Sequence, residues 1–146
     1  WSILSDGRFK ENVQENVPGL DFISQLRPVT YNLDVEKLNG FLGVPDSLVD
    51  EHSLASKSAM IQTGFIAQEV EATAKELGFE FSGVDAPDNE DDHYSLRYAE
   101  FVVPLVKAVQ EQQTIIEEQQ AIAAKQQELI DELRQEMDAL KAEINK

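Results

Sequence analysis

The sequence predicts an α+β protein: a small mixed globular head of short strands and helices, then a long C-terminal helix forming a parallel trimeric coiled coil. Three observations carry this. Apolar positions recur every seven residues from Val102 to Ile144 without a break. Before them, short apolar groups that alternate or take helical spacing are punctuated by Gly and Pro. The length of 146 residues, 42% of them hydrophobic, suits one domain plus an extension. Residues 1–100 are read as the head and 101–146 as the trimerisation helix.

Residues 1–12 are polar, with a turn signal at Asp6-Gly7. Residues 13–45 mix short apolar groups with Pro18, Gly19, Pro28, Gly40 and Gly43. Within them, Asp21 to Leu26 reads as a short helix begun by Asp21 and stopped before Pro28. Val29 to Leu33 alternates, as a strand does. Residues 46–59 are polar and read as a mobile loop or arm. Gly64-Phe65-Ile66 reads as a short strand. Ala67 to Leu77 has helical spacing, with Val70, Ala74 and Leu77 on one face and an end at Gly78. Phe79 to Val84 and Tyr94 to Leu96 read as two strands joined by the acidic stretch Asp85 to Asp92.

Composition excludes several functions. There is no cysteine, hence no disulfide framework and no thiol chemistry. A net charge of -16 repels phosphate backbones, which argues against nucleic-acid binding. No apolar run approaches the roughly 20 residues that span a bilayer. The longest, Phe101 to Val106, is interrupted by Pro104. No secretion signal is present, and a start at Trp1 suggests a fragment of a longer protein. The acidic stretch lacks the central glycine and closing glutamate of a calcium loop, so it reads as a solvated hairpin loop. His52 and His93 show no ligand pattern. Neither metal nor cofactor is expected.

With position a at Val102, the a residues are Val102, Val109, Ile116, Ala123, Ile130, Met137 and Ile144. The d residues are Leu105, Gln112, Gln119, Gln126, Leu133 and Leu140. Val109, Ile116, Ile130, Leu133, Met137, Leu140 and Ile144 form the expected trimer core. The glutamine layers weaken the middle of the seam and penalise registers that set them against Leu or Ile. Ile115, Ile122 and Leu129 at g widen the apolar face and favour three or more strands over two. Glu136 at g and Lys141 at the following e can pair between parallel neighbours. The alternative is one long helix packed on its own head, but about 100 preceding residues offer too little surface to cover it. Pro104 fits the first turn of a helix, so the helix begins near Phe101, or begins earlier and kinks.

Ser5 and Lys10 are the candidate nucleophile and base. A serine hydroxyl needs a base to attack a carbonyl, and a desolvated neutral lysine can serve. The Asp6-Gly7 turn can fold Lys10 back towards Ser5. On spacing alone, a turn serine beside a solvated lysine is the commoner arrangement.

The stretch Ser5 to Val13 matches the pattern S-D-x-R-x-K-x-N-[IV] and resembles the opening of the intramolecular chaperone auto-processing domain, the peptidase S74 family. That domain ends phage tail spikes, endosialidases and tail fibres. Leu20 to Tyr31 resembles the family's L-x-x-I-x-x-L-x-P-V-x-Y segment, and Gly64 to Glu71 its G-F-I-A-Q-E-V-E block. Tyr94 to Tyr98, followed by Pro104 to Glu111, resembles its closing strand and helix start.

The resemblance implies a homotrimer that guides folding and alignment of a β-rich fibre or adhesin N-terminal to it, on a virion tail or a bacterial surface. It implies self-cleavage between Leu4 and Ser5. Ser5 would attack the Leu4 carbonyl, Lys10 would take the proton, and water would hydrolyse the ester. Burial of Lys10 in the trimer would keep its amine neutral and couple cleavage to assembly. Asp6 and Arg8 would orient Lys10 or pair with each other, and Asn12 would serve a turn. The alternative is a cap that assembles without cutting. The presence of Trp1 to Leu4 upstream of the cut implies that cleavage is slow or absent, or that the fragments stay together.

Overall fold

The computed structural model describes residues 4–145. Trp1, Ser2 and Ile3 at the start of the polar N-terminal stretch, and Lys146 at the end of the expected coiled coil, lie outside the described residues.

Helix α1 (Leu20–Ile23) leads into strand β1 (Val29–Asn32), which pairs antiparallel with β2 (Ile61–Gly64) in the register Val29 to Gly64 and Asn32 to Ile61. Between these strands the chain makes two helices, α2 (Val35–Phe41) and α3 (Glu51–Ser58), joined through a 3-10 turn at Asp46–Leu48. Helix α4 (Ala67–Glu76) follows. A minimal hairpin of β3 (Val84–Asp85) and β4 (Ser95–Leu96) comes next, then a 3-10 turn at Tyr98–Phe101 and helix α5 (Val102–Ile144).

Several boundaries differ from the sequence reading. The first helix is four residues long, with Gly19 rather than Asp21 as its N-cap. The second strand ends at Gly64 instead of beginning there. Phe79 to Val84 is not a continuous strand. The Phe81 N–H closes back on the Phe79 carbonyl at 2.9 Å, and both rings pack on the buried Phe22. Helix α2 has no counterpart in the sequence reading, because an interior Gly40 reads as a loop. Residues 46–59, expected as a loop or arm, hold the 3-10 turn and helix α3. Each of these two helices has an aspartate cap, Asp34 accepting from Lys37 N–H at 3.0 Å and Asp50 from Ser53 N–H at 2.7 Å.

Helix α4 follows its sequence signal closely. Val70 and Ala74 are buried on one face, and Gly78 takes φ +62°, a left-handed conformation that a Cβ disfavours. Gly78 N–H then bonds the Lys75 carbonyl at 3.1 Å and Phe79 N–H the Ala74 carbonyl at 2.9 Å. This paired C-terminal closure turns Phe79 inward. Helix α2 ends the same way at Gly43.

The core is an aromatic cluster. Phe22, Val70, Ala74 and Phe101 are buried, with Phe65, Phe79 and Phe81 packed against them. Phe22 meets Phe79 edge-on at 5.3 Å, and Phe81 meets Phe101 edge-on at 4.8 Å. Each such pair adds about 0.5–1.5 kcal/mol beyond area burial.

Helix α5 begins at Val102, so Pro104 lies in its first turn, buried, where no intrahelical N–H is lost. Only its start touches the head. Gly19 lies flat on it: a Cβ there would come within 2.8 Å of the Ala108 nitrogen and the Lys107 carbonyl carbon. From Gln112 to Asn145 every residue is exposed. At 1.5 Å per residue the helix runs roughly 65 Å. It does not fold back on its own head. Among the described residues no helix is long and apolar enough to cross a membrane.

Candidate functional site

The N-terminal motif folds into one compact turn. Asp6 caps a 3-10 turn at Gly7–Phe9, its Oδ1 accepting from the Arg8 N–H at 2.9 Å. Phe9 N–H bonds the Asp6 carbonyl at 3.1 Å and Lys10 N–H the Gly7 carbonyl at 3.2 Å. The sequence suggests a hairpin-type turn here. The observed turn is 3-10, and among the described residues no strand adjoins it to pair. Asn12 then takes φ 54°, a left-handed conformation that asparagine tolerates better than most residues.

The turn sets Lys10 facing Ser5. Lys10 Nζ donates a hydrogen bond to Ser5 Oγ at 2.9 Å, within one chain. Both residues are exposed. Asp6 and Arg8 pair with each other and not with Lys10. The Arg8 guanidinium donates to both carboxylate oxygens, from Nε to Oδ1 at 3.1 Å and to Oδ2 at 3.0 Å, and from Nη2 to Oδ2 at 2.5 Å. That bond, reinforced by the Arg8 backbone N–H, holds the Asp6 carboxyl below its usual range and raises the guanidinium in turn. The pair serves to fix the turn.

The other motif blocks hold the head together. Arg27 of the second block and Glu69 of the third form an ion pair, and Glu69 raises the guanidinium. The Gly64–Phe65 step is pinned by Tyr98, whose hydroxyl accepts the Phe65 N–H at 3.1 Å. The carboxylate of Glu111 accepts the Leu20 N–H at 2.7 Å. Sequence reasoning misses this last contact, whose partners lie 91 positions apart. Its local signal is a helix start at Gly19-Leu20 with no acceptor side chain of its own. Among the described residues no cluster of His, Cys, Asp and Glu is arranged to hold a metal ion. His93 is exposed, with Phe41 edge-on to its ring at 6.1 Å.

The family described as the chaperone of endosialidase, Peptidase S74, matches residues 5–79 of this chain. The chain belongs to this family. The match begins at Ser5, includes the turn, the Leu20–Tyr31 segment and the Gly64–Glu71 block, and ends at the inward-turned Phe79. Comparison with curated proteins and with solved structures gives no match. Membership in S74 carries a chaperone role for the chain. In this S74 chain the long helix α5 stands beyond the matched span.

Proposed function

We propose that the chain is a C-terminal assembly domain that trimerises through α5, aligns a fibre or adhesin N-terminal to it, and frees itself by cutting between Leu4 and Ser5. The observation that carries this reading is the 2.9 Å contact between Lys10 Nζ and Ser5 Oγ inside the family's opening motif. The exposed a and d residues of α5, among them Val109, Ile130, Leu133 and Leu140, give the helix an apolar seam with no cover in its own chain. In a parallel trimer each chain covers the seam of the next.

The chemistry is an acyl shift followed by hydrolysis. Ser5 Oγ attacks the carbonyl carbon of Leu4, and the neutral amine of Lys10 takes the hydroxyl proton. The Leu4–Ser5 C–N bond breaks, the proton passes to the released Ser5 nitrogen, and Leu4 is held as an ester on Oγ. Water then cleaves the ester, leaving a Leu4 carboxylate and a free Ser5 hydroxyl. Nothing beyond water is consumed.

A second reading is supported by the same site. In the single chain both Lys10 and Ser5 are exposed, and nothing there removes the amine from water. A domain whose trimer leaves Lys10 wet would assemble and stay attached. The test is to express the domain with its upstream fibre and follow it on a denaturing gel. A fragment starting at Ser5, lost in Ser5→Ala, establishes cleavage. Stable trimers of intact chain establish the permanent cap.

A further inference from the structure

The stretch that carries Ser5 and Lys10 has little cover. Leu4, Phe9 and Val13 are 76%, 69% and 78% exposed, and from Leu4 to Asn16 only Asp6 is even half-buried. The chain settles onto the head at Val17, Pro18 and Gly19, where Gly19 meets α5. Beside that point a cavity of about 340 Å³ opens between this strap and α5, lined by Glu15, Val17, Val103, Val106, Lys107 and Gln110.

Val103 and Val106 fall at heptad positions b and e, outside the a and d seam, and both are more than half exposed. Further along α5 the next b and e residues are Gln110, Gln113, Glu117 and Gln120. The start of the helix thus carries an apolar patch that the seam does not use. In a parallel trimer an e residue stands beside the adjoining helix, so this groove opens at the boundary between two protomers.

We propose that the groove formed by Val17, Val103 and Val106 of one protomer receives Phe9 and Val13 of a second copy of the chain. The inference rests on the trimeric reading above. Three observations single out this occupant. Apolar side chains of the turn match an apolar groove. Asp6 and Arg8 neutralise each other at 2.5 Å, so seating the turn brings no net charge from that pair. The groove is continuous with the exposed seam residues Val102, Leu105 and Val109.

The reach also suffices. The four-residue span from Val17 to Val13 extends to roughly 13 Å, more than the 8–10 Å between packed helix axes. Seating Phe9 and Val13 covers Lys10 between them, so its amine leaves water only in the assembled protein. Desolvation disfavours the ammonium form. The docking therefore supplies what the dyad lacks in one chain alone.

The native chain has no cysteine, which permits a clean cross-linking test. Phe9→Cys is combined with Val106→Cys, and Val13→Cys with Val103→Cys, in the full chain. Each is oxidised and run on a non-reducing denaturing gel, with the reduced protein weighed by sedimentation equilibrium. The expected result is a trimer in sedimentation and covalently linked dimers and trimers on the gel for at least one double variant, but not for the single variants. Trimers that give only monomer bands overturn the docking while leaving the trimeric reading intact. Monomers in sedimentation overturn both.

Discussion

The Glu111 carboxylate on α5 accepts the backbone N–H of Leu20 at 2.7 Å, joining the first helix of the head to the last helix of the chain. It takes the role that a capping side chain has at most helix starts, since Gly19 has none to offer. Glu111→Ala is expected to lower head stability by about 1–2 kcal/mol. Gly19→Ala is expected to cost more, about 2–3 kcal/mol, because the new methyl meets helix backbone that has little room to move. Thermal unfolding of both variants checks the ranking.

Two glycines are expected to behave in opposite ways. Gly78 sits at φ +62°, so Gly78→Ala should destabilise by about 1 kcal/mol through backbone strain. A methyl added at Gly7 would meet nothing within 4 Å, and the backbone there has no positive φ. Gly7→Ala should therefore stay within about 0.5 kcal/mol of wild type. Denaturant titration of the two variants separates them.

At the proposed cutting site, Ser5→Ala should abolish fragment release. Lys10→Met should lower its rate by about 10²-fold or more, the usual size of a general-base contribution. Lys10→Arg should fail equally, because a guanidinium stays protonated and cannot accept. Timed gels of the fibre-linked protein check all three. Release at wild-type rate from Lys10→Arg would remove the lysine from the mechanism.

Along α5, the glutamine layers and the apolar layers should respond with opposite signs. Gln119→Leu should raise the stability of the assembly, and Ile130→Ala should lower it by roughly 2 kcal/mol or more per chain. The thermal midpoint at fixed protein concentration measures both. If Ile130→Ala leaves the midpoint unchanged, α5 is not the assembly seam.

Glu71 gives a pH signature. It accepts from Lys75 and from the Tyr94 hydroxyl, at 2.7 and 3.0 Å. These bonds hold its carboxyl below the ordinary 4.5. A lowered folded value means that its contribution is present above the unfolded value and is lost as pH falls through the folded one. Tyr94 and Lys75 are shifted upward by the same contacts, so their contributions fade only at alkaline pH, above their ordinary values. Replacing Glu71 by Gln should lower stability at neutral pH and flatten its fall below about pH 5. Urea midpoints across pH test this.

Legibility in the sequence follows the range of the interactions. Helix α4 is readable because its face, its end and its glycine are written within a dozen residues. The α5 helix is readable because its repeat is long. The second strand stops at Gly64, where the Phe65 N–H goes to the Tyr98 hydroxyl, and the Phe79–Val84 strand is dissolved because the aromatic core pulls Phe79 and Phe81 inward, a pull exerted by Phe22 from far upstream. Helix α2 is hidden by Gly40, although Asp34 offers its cap. At the site, the approach of Lys10 to Ser5 is visible as a turn signal. The Asp6–Arg8 pairing is one of two options that residue types alone leave open.

The clamp of Gly19 and Glu111 on α5 has a mechanical meaning. Between Leu4 and that clamp lie fourteen residues whose one regular feature is the 3-10 turn, a tether that extends to roughly 46 Å when pulled taut. Tension arriving through Leu4 would reach α5 at Ala108 and Glu111 before it reached the β1–β2 ladder. In the proposed assembly, a pull from upstream would strain the helix start before it could unzip a strand.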